Sequence, residues 1–142
     1  VSLMLVAAFS VFLRAGEFFM FTRKDVEFND WGSEAVLTLH ASKTIAKKSV
    51  ASVERVPVRD RLAVLGLQLL CRDLLPGDKL VQITTQRFRQ LWRMAIQVLG
   101  MNDFNFLPYS VRRCGATLYF RQTGNMEETM LLGRWAHLRT AT

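Results

Sequence analysis

Cysteine is scarce: Cys71 and Cys114 are the only two in 142 residues. That excludes a disulfide-stapled domain and fits reduced thiols in an intracellular protein. Histidine is equally scarce. His40 and His137 stand at no ligand spacing, which argues against a structural zinc centre. Acidic residues are in deficit, 12 Asp+Glu against 19 Lys+Arg, for a net charge of +7. The deficit is local: residues 1–40 carry three basic and five acidic side chains, residues 41–142 carry 16 and seven. A polyanionic partner is expected for the later segment. No apolar run is long enough to span a bilayer. The run over residues 1–13 falls short of the about 20 residues required, and no basic stretch precedes it as in a signal peptide. It reads as a buried core helix. A membrane-surface protein is the outlying alternative, and a run closed by Arg14 and Glu17 is poorly built for it. Repeats, low-complexity tracts and long linkers are also missing.

With hydrophobic residues at 50% and charged residues at 22%, the chain can build a core rather than remain disordered. Its length fits one domain over residues 1–142, burying roughly two thirds of its unfolded surface. The start at Val1 inside an apolar run and the stop at Thr142 lead us to expect a fragment truncated at both ends.

The pattern predicts a helix over 1–13, apolar nearly all round, then Gly16 and a short helix over 17–22. Residues 35–40 and 50–58 alternate and contain β-formers, a hairpin whose polar connection holds Ser42, Lys43, Thr44, Lys47 and Lys48. Asp60 can cap a helix over 61–75, ended by Pro76-Gly77. Thr84 or Thr85 can cap a helix to residue 99, with Phe88, Leu91, Trp92, Ala95, Ile96 and Leu99 as its apolar positions and Gly100 after its end. Further helices are expected over 110–122, closed by Gly124, and over 126–132, ended by Gly133. The fold class is mostly helical α+β with a small antiparallel sheet.

Most cations, among them Lys47, Lys48, Arg59, Arg61, Arg72 and Lys79, read as solvated surface. Arg14 differs because it ends a buried helix and must find a partner; Glu17, three residues on, can pair with it. Lys43 alone is a surface lysine. Arg112 and Arg113 open a helix, where free N–H groups and the dipole favour anions and arginine adds a fork for phosphate oxygens. Trp135 alone reads as core packing.

Taken in order, these segments resemble the catalytic domain of the tyrosine recombinases, the phage-integrase family. Leu13-Arg14-Ala15-Gly16-Glu17-Phe18 is similar to the first arginine box, and Asp25-Val26 falls at the acidic position after the next helix. Ser42-Lys43-Thr44 matches the lysine motif. Tyr109-Ser110-Val111-Arg112 sits at the His-x-x-Arg position, and Leu132-Gly133-Arg134-Trp135 resembles the Leu-Gly-His segment. Thr140-Ala141-Thr142 resembles the approach to the tyrosine nucleophile. The resemblance covers essentially the whole chain.

The resemblance implies DNA strand breakage and rejoining through a 3′-phosphotyrosyl intermediate, on double-stranded DNA, in a parent protein that assembles as four subunits. It implies no cofactor and no metal. Arg14 and Arg112 would clamp the scissile phosphate, Lys43 would protonate the departing 5′-oxygen, and Glu17 would support Arg14. Tyr109 replaces the usual histidine; a phenol with pKa near 10 is a poorer base than an imidazole near 6.5. Arg134, with Trp135 beside it, meets the second His/Trp position, and His137 lies three residues on. The nucleophile would fall just past Thr142, and neither Tyr109 nor Tyr119 is in its place. The fragment is therefore expected to be inactive, intracellular and DNA-associated. A non-catalytic DNA-binding remnant of a mobile element is the alternative, and a type IB topoisomerase is the nearest other enzyme.

Overall fold

The computed structural model describes residues 1–40 and 53–135. Its elements are α1 (Ser2–Ser10), β1 (Val26–Phe28), β2 (Ala35–His40), β3 (Val53–Val58), α2 (Arg61–Cys71), α3 (Thr85–Val98), α4 (Ser110–Thr123) and α5 (Met126–Gly133). This is the mostly helical α+β arrangement expected. The strands form one antiparallel sheet in the order β1-β2-β3, so the expected hairpin gains a third strand. β1 is three residues long, too short to show an alternation in sequence. Its Val26 and Phe28 pair with Leu37 and Ala35 of β2. The connection carrying Lys43, Lys47 and Lys48 lies outside the described residues.

The apolar run of the N-terminus is core. α1 buries Met4, Ala7 and Ala8, and Val11, Phe12 and Leu13 follow them inside. It packs against α2 and α4, and of its residues only Ser2, Leu3 and Val6 are exposed, which fits a helix apolar nearly all round. It stops at Ser10 rather than residue 13. Phe12 takes a left-handed backbone, φ 51°, and the Leu13 N–H bonds back to the Ala8 carbonyl at 2.9 Å. This is a glycine-type helix stop made without glycine. Where α4 crosses α1, a Cβ on Gly115 would stand 2.2 Å from the Phe9 carbonyl oxygen, so only glycine allows this approach.

The expected helix over 17–22 shrinks to a 3₁₀ turn, Glu17–Phe19. Asp60 caps α2, accepting from the Ala63 N–H at 2.8 Å. α2 ends at Cys71 rather than 75, and the Leu75 N–H that follows bonds to the Asp78 carboxylate at 2.9 Å instead of continuing the helix. Thr84 caps α3 through the Arg87 N–H at 3.1 Å, and Gly100 at φ 66° terminates it. The apolar face read for α3 is only partly covered. Phe88 is buried against Phe18 and Phe19, with ring centroids 5.1 and 5.3 Å apart. Leu91, Trp92 and Ile96 are half-buried, and Ala95 and Leu99 are exposed. The helix anchors at its first two turns and projects beyond the core.

Asp25, at the acidic position of the resemblance, is buried. It accepts from the Thr22 N–H at 2.8 Å, the Thr22 hydroxyl at 2.7 Å and the His40 ring at 2.9 Å. Burial raises its pKa, but the Thr22 hydrogen bonds and His40 outweigh burial and hold it below the ordinary 3.8. The stabilisation is therefore complete above that ordinary value and lost as pH falls through the lower folded one. Asp25→Asn is expected to cost about 1–2 kcal/mol at pH 7. Urea titrations should show this deficit shrinking below pH ~4.

Candidate functional site

Arg112 lies in the first turn of α4 and is almost fully buried, at 2% exposure. Among the described residues no carboxylate lies within ion-pair distance of it. Its Nη1 donates to the Phe12 carbonyl at 2.6 Å and its Nη2 to the Gly133 carbonyl. Those carbonyls lie at the C-terminal ends of α1 and α5, where peptide oxygens lack intrahelical donors and the helix dipoles are negative. The guanidinium is thus solvated by backbone and keeps its whole unit charge. Its Cζ stacks 4.8 Å from the centre of the Trp135 ring, which in turn lies over Phe12 at 6.4 Å. A Cβ on Gly133 would stand 2.2 Å from the Trp135 ring, so glycine is needed here to seat the indole. The residue that ends α5 in the left-handed region is the next one, Arg134, φ 55°, not Gly133 as the sequence implied.

Glu17 joins two further arginines. Its Oε1 accepts from Arg14 Nη1 at 2.8 Å, and its Oε2 accepts from the Arg14 N–H at 2.7 Å and from Arg134 Nη2 at 2.6 Å. Arg14 stays half-exposed at 47%, while the Arg134 side chain is buried at 7%. Burial, followed by the neighbouring charges of Arg14 and Arg134, pulls the Arg112 pKa down to about 10. Burial also lowers that of Arg134, against the pull of Glu17 and Glu54. Three guanidiniums therefore crowd together, with Glu17 hydrogen-bonded to Arg14 and Arg134 but not to Arg112. An anion entering the cluster would relieve their repulsion.

Arg14, Glu17, Arg112, Arg134 and Trp135, singled out in the sequence, thus meet in one place. Arg134 and Trp135 are both used, one as a charge on Glu17 and the other as a plate against Arg112. Tyr109 immediately precedes α4 and is 51% exposed. Tyr119 packs edge-on against Phe12 at 5.9 Å. Lys43 and His137 lie outside the described residues. Arg113, the next residue on α4, is exposed. Two features escaped sequence reading. Glu54 of β3 lies 3.5 Å from Arg134 Nε. Arg87, Arg89 and Arg93 of α3 are exposed, and that helix carries no acidic residue. No ion pair neutralises them among the described residues.

Among the described residues, no helix is long and apolar enough to cross a membrane. No family model and no curated protein sequence matches the chain. Among solved structures it is similar to the XerH site-specific recombinase bound to difH substrate in a pre-cleavage complex. The TM-score is 0.73 at 15% identity, over 98% of this chain and 40% of that one. It is also similar to XerH bound to palindromic difH substrate in a post-cleavage complex, with TM-score 0.71, 17% identity and the same coverage. The chain thus spans 40% of the length of these structures. Together with the helix order and the three-stranded sheet, the similarity establishes that the chain has a tyrosine-recombinase catalytic-domain-like fold.

Proposed function

We propose that the chain is the phosphate-binding part of a DNA strand-exchange enzyme, acting on double-stranded DNA. One observation carries this reading: Arg112 is held by carbonyls rather than carboxylates, so the cluster of Arg14, Arg112 and Arg134 keeps a surplus of positive charge. Guanidiniums fixed before the substrate arrives can stabilise the charge that develops on a phosphate under attack, without reorganising. Arg14 is accessible and offers its free N–H groups to the non-bridging oxygens. Tyr109 can donate a hydrogen bond to the same phosphate. Lys43, from the β2–β3 connection, protonates the departing 5′-oxygen, and a tyrosine other than Tyr109 and Tyr119 attacks. The exposed arginines of α3 extend the contact along the backbone. Four such subunits act together in the whole protein.

The Tyr109 replacement favours a second reading, a non-catalytic DNA-binding module. A nicked suicide duplex incubated with the longest available gene product separates the two. A covalent protein–DNA adduct supports the enzyme, and binding without adduct supports the module. For the 142-residue chain, Arg14→Ala is the informative variant because the side chain is half-exposed and its loss should spare the fold. It is expected to weaken duplex binding and reduce the slope of log K against log[salt] by about 1. An unchanged slope in fluorescence anisotropy would remove Arg14 from the phosphate site.

A further inference from the structure

Glu54 stands where the strand pattern requires an apolar side chain. β3 alternates, Val56 and Val58 face the core, and Glu54 shares their side two residues earlier. Its cross-strand partner, Leu39, is buried. A carboxylate on such a face is costly unless it meets a cation. Among the described residues the cation within ion-pair reach is Arg134, whose Nε lies 3.5 Å from Glu54 Oε2. At that distance the pair is electrostatic, with no good hydrogen bond. Arg134 Nε and Nη1 are both buried and have no hydrogen-bond partner among the described residues. The guanidinium is therefore fixed at one corner by Glu17, 2.6 Å from Nη2, and left unsatisfied along its other edge.

We infer that Glu54 is a placeholder carboxylate, neutralising the open edge of Arg134 while no anion is bound and yielding it to an incoming phosphate. The inference rests on the reading of the arginine cluster as a phosphate site. With its side chain 42% exposed, Glu54 can turn into water when displaced. Its role is to position and balance Arg134, not to touch the reacting atoms. It ties phosphate affinity to β3, the strand that closes the Lys43-bearing connection.

The test measures binding of a mixed-sequence duplex at fixed low salt, for Glu54→Gln and Glu54→Leu in the native chain and in an Arg134→Gln background. Leucine suits the inner face of β3 and keeps the comparison open if a buried amide is not tolerated. Both variants are expected to bind about three- to tenfold more tightly, the effect of removing one negative charge a few ångströms from the phosphate. The gain should vanish when Arg134 is glutamine. An equal gain in both backgrounds would mean a diffuse charge effect and overturn the placeholder role. Weaker binding by Glu54→Gln would make Glu54 a structural prop and overturn it as well. If Arg14→Ala weakens binding while the Glu54 variants match the native chain, the placeholder role alone fails. If Arg14→Ala also binds normally, the phosphate site itself fails.

Discussion

Arg112→Ala is expected to destabilise the fold by about 3–5 kcal/mol, the range for removing one partner from a buried charged network. The substitution strips the Phe12 and Gly133 carbonyls of their donor and leaves them buried, at about 1–3 kcal/mol each if no water replaces it. It also removes the plate on which Trp135 stacks. Domains of this size are stable by only about 5–15 kcal/mol, so a large part of the stability is at stake. Urea unfolding, followed by circular dichroism, measures it directly. Arg112→Lys separates charge from geometry. An ammonium keeps the unit charge but not the planar fork that reaches two carbonyls from two different helices. Its expected outcome is intermediate stability, with DNA affinity falling more than the retained charge would suggest. If Arg112→Ala unfolds within 1 kcal/mol of the native chain, the carbonyl cage is not the structural centre of the site. Arg112→Ala is for this reason a poor probe of DNA binding alone, and Arg14→Ala serves better.

The ordered motifs carried most of the cluster because each contains a residue that enters it: Arg14 and Glu17 three apart, Arg112 in the first turn of a helix, Arg134 and Trp135 after another. What stayed hidden was decided by neighbours distant in sequence. Phe12 ends α1 in the left-handed region, and a sequence rule that waits for glycine runs the helix on to residue 13. Arg134 does the same for α5, and here glycine was present but for another reason, the Trp135 ring above it. Both departures put backbone strain beside Arg112, because the strained turns present its carbonyl acceptors. Glu54 carried a usable signal, a carboxylate in phase with Val56 and Val58. Its meaning depends on Arg134, 80 residues later in the chain. α3 misled in the opposite sense. Its periodicity predicted a continuous buried face, but among the described residues only Phe88 and Trp92 of that face pack against the core. Periodicity records which residues share a side, not how far the core extends beneath them.

Gly115 is the position where one added methyl group should do most damage. A glycine inside a helix costs about 1 kcal/mol relative to alanine, so its presence in the middle of α4 already implies a close approach. The alanine Cβ would meet the Phe9 carbonyl oxygen at 2.2 Å and the Phe12 ring at 3.0 Å. The first of these is backbone of a buried helix and cannot swing aside as the end of a side chain can. α1 and α4 must separate, and the separation pulls Phe12 away from Arg112, three residues from Gly115 on the same helix. Overpacking of this kind costs about 3 kcal/mol at the upper end of its usual range. For a chain of this length that corresponds to a fall in Tm on the order of 10 °C. DNA affinity should fall with it, because the carbonyl cage loosens. Gly16→Ala supplies the control. Nothing lies within 4 Å of its added Cβ and its φ is −71°, so alanine should stabilise by about 0.4–1 kcal/mol through the unfolded chain. If the two variants melt alike by differential scanning calorimetry, the α1–α4 contact does not hold the site together. If Gly115→Ala melts far lower and Gly16→Ala slightly higher, the spacing of these two helices sets the geometry of the arginine cluster.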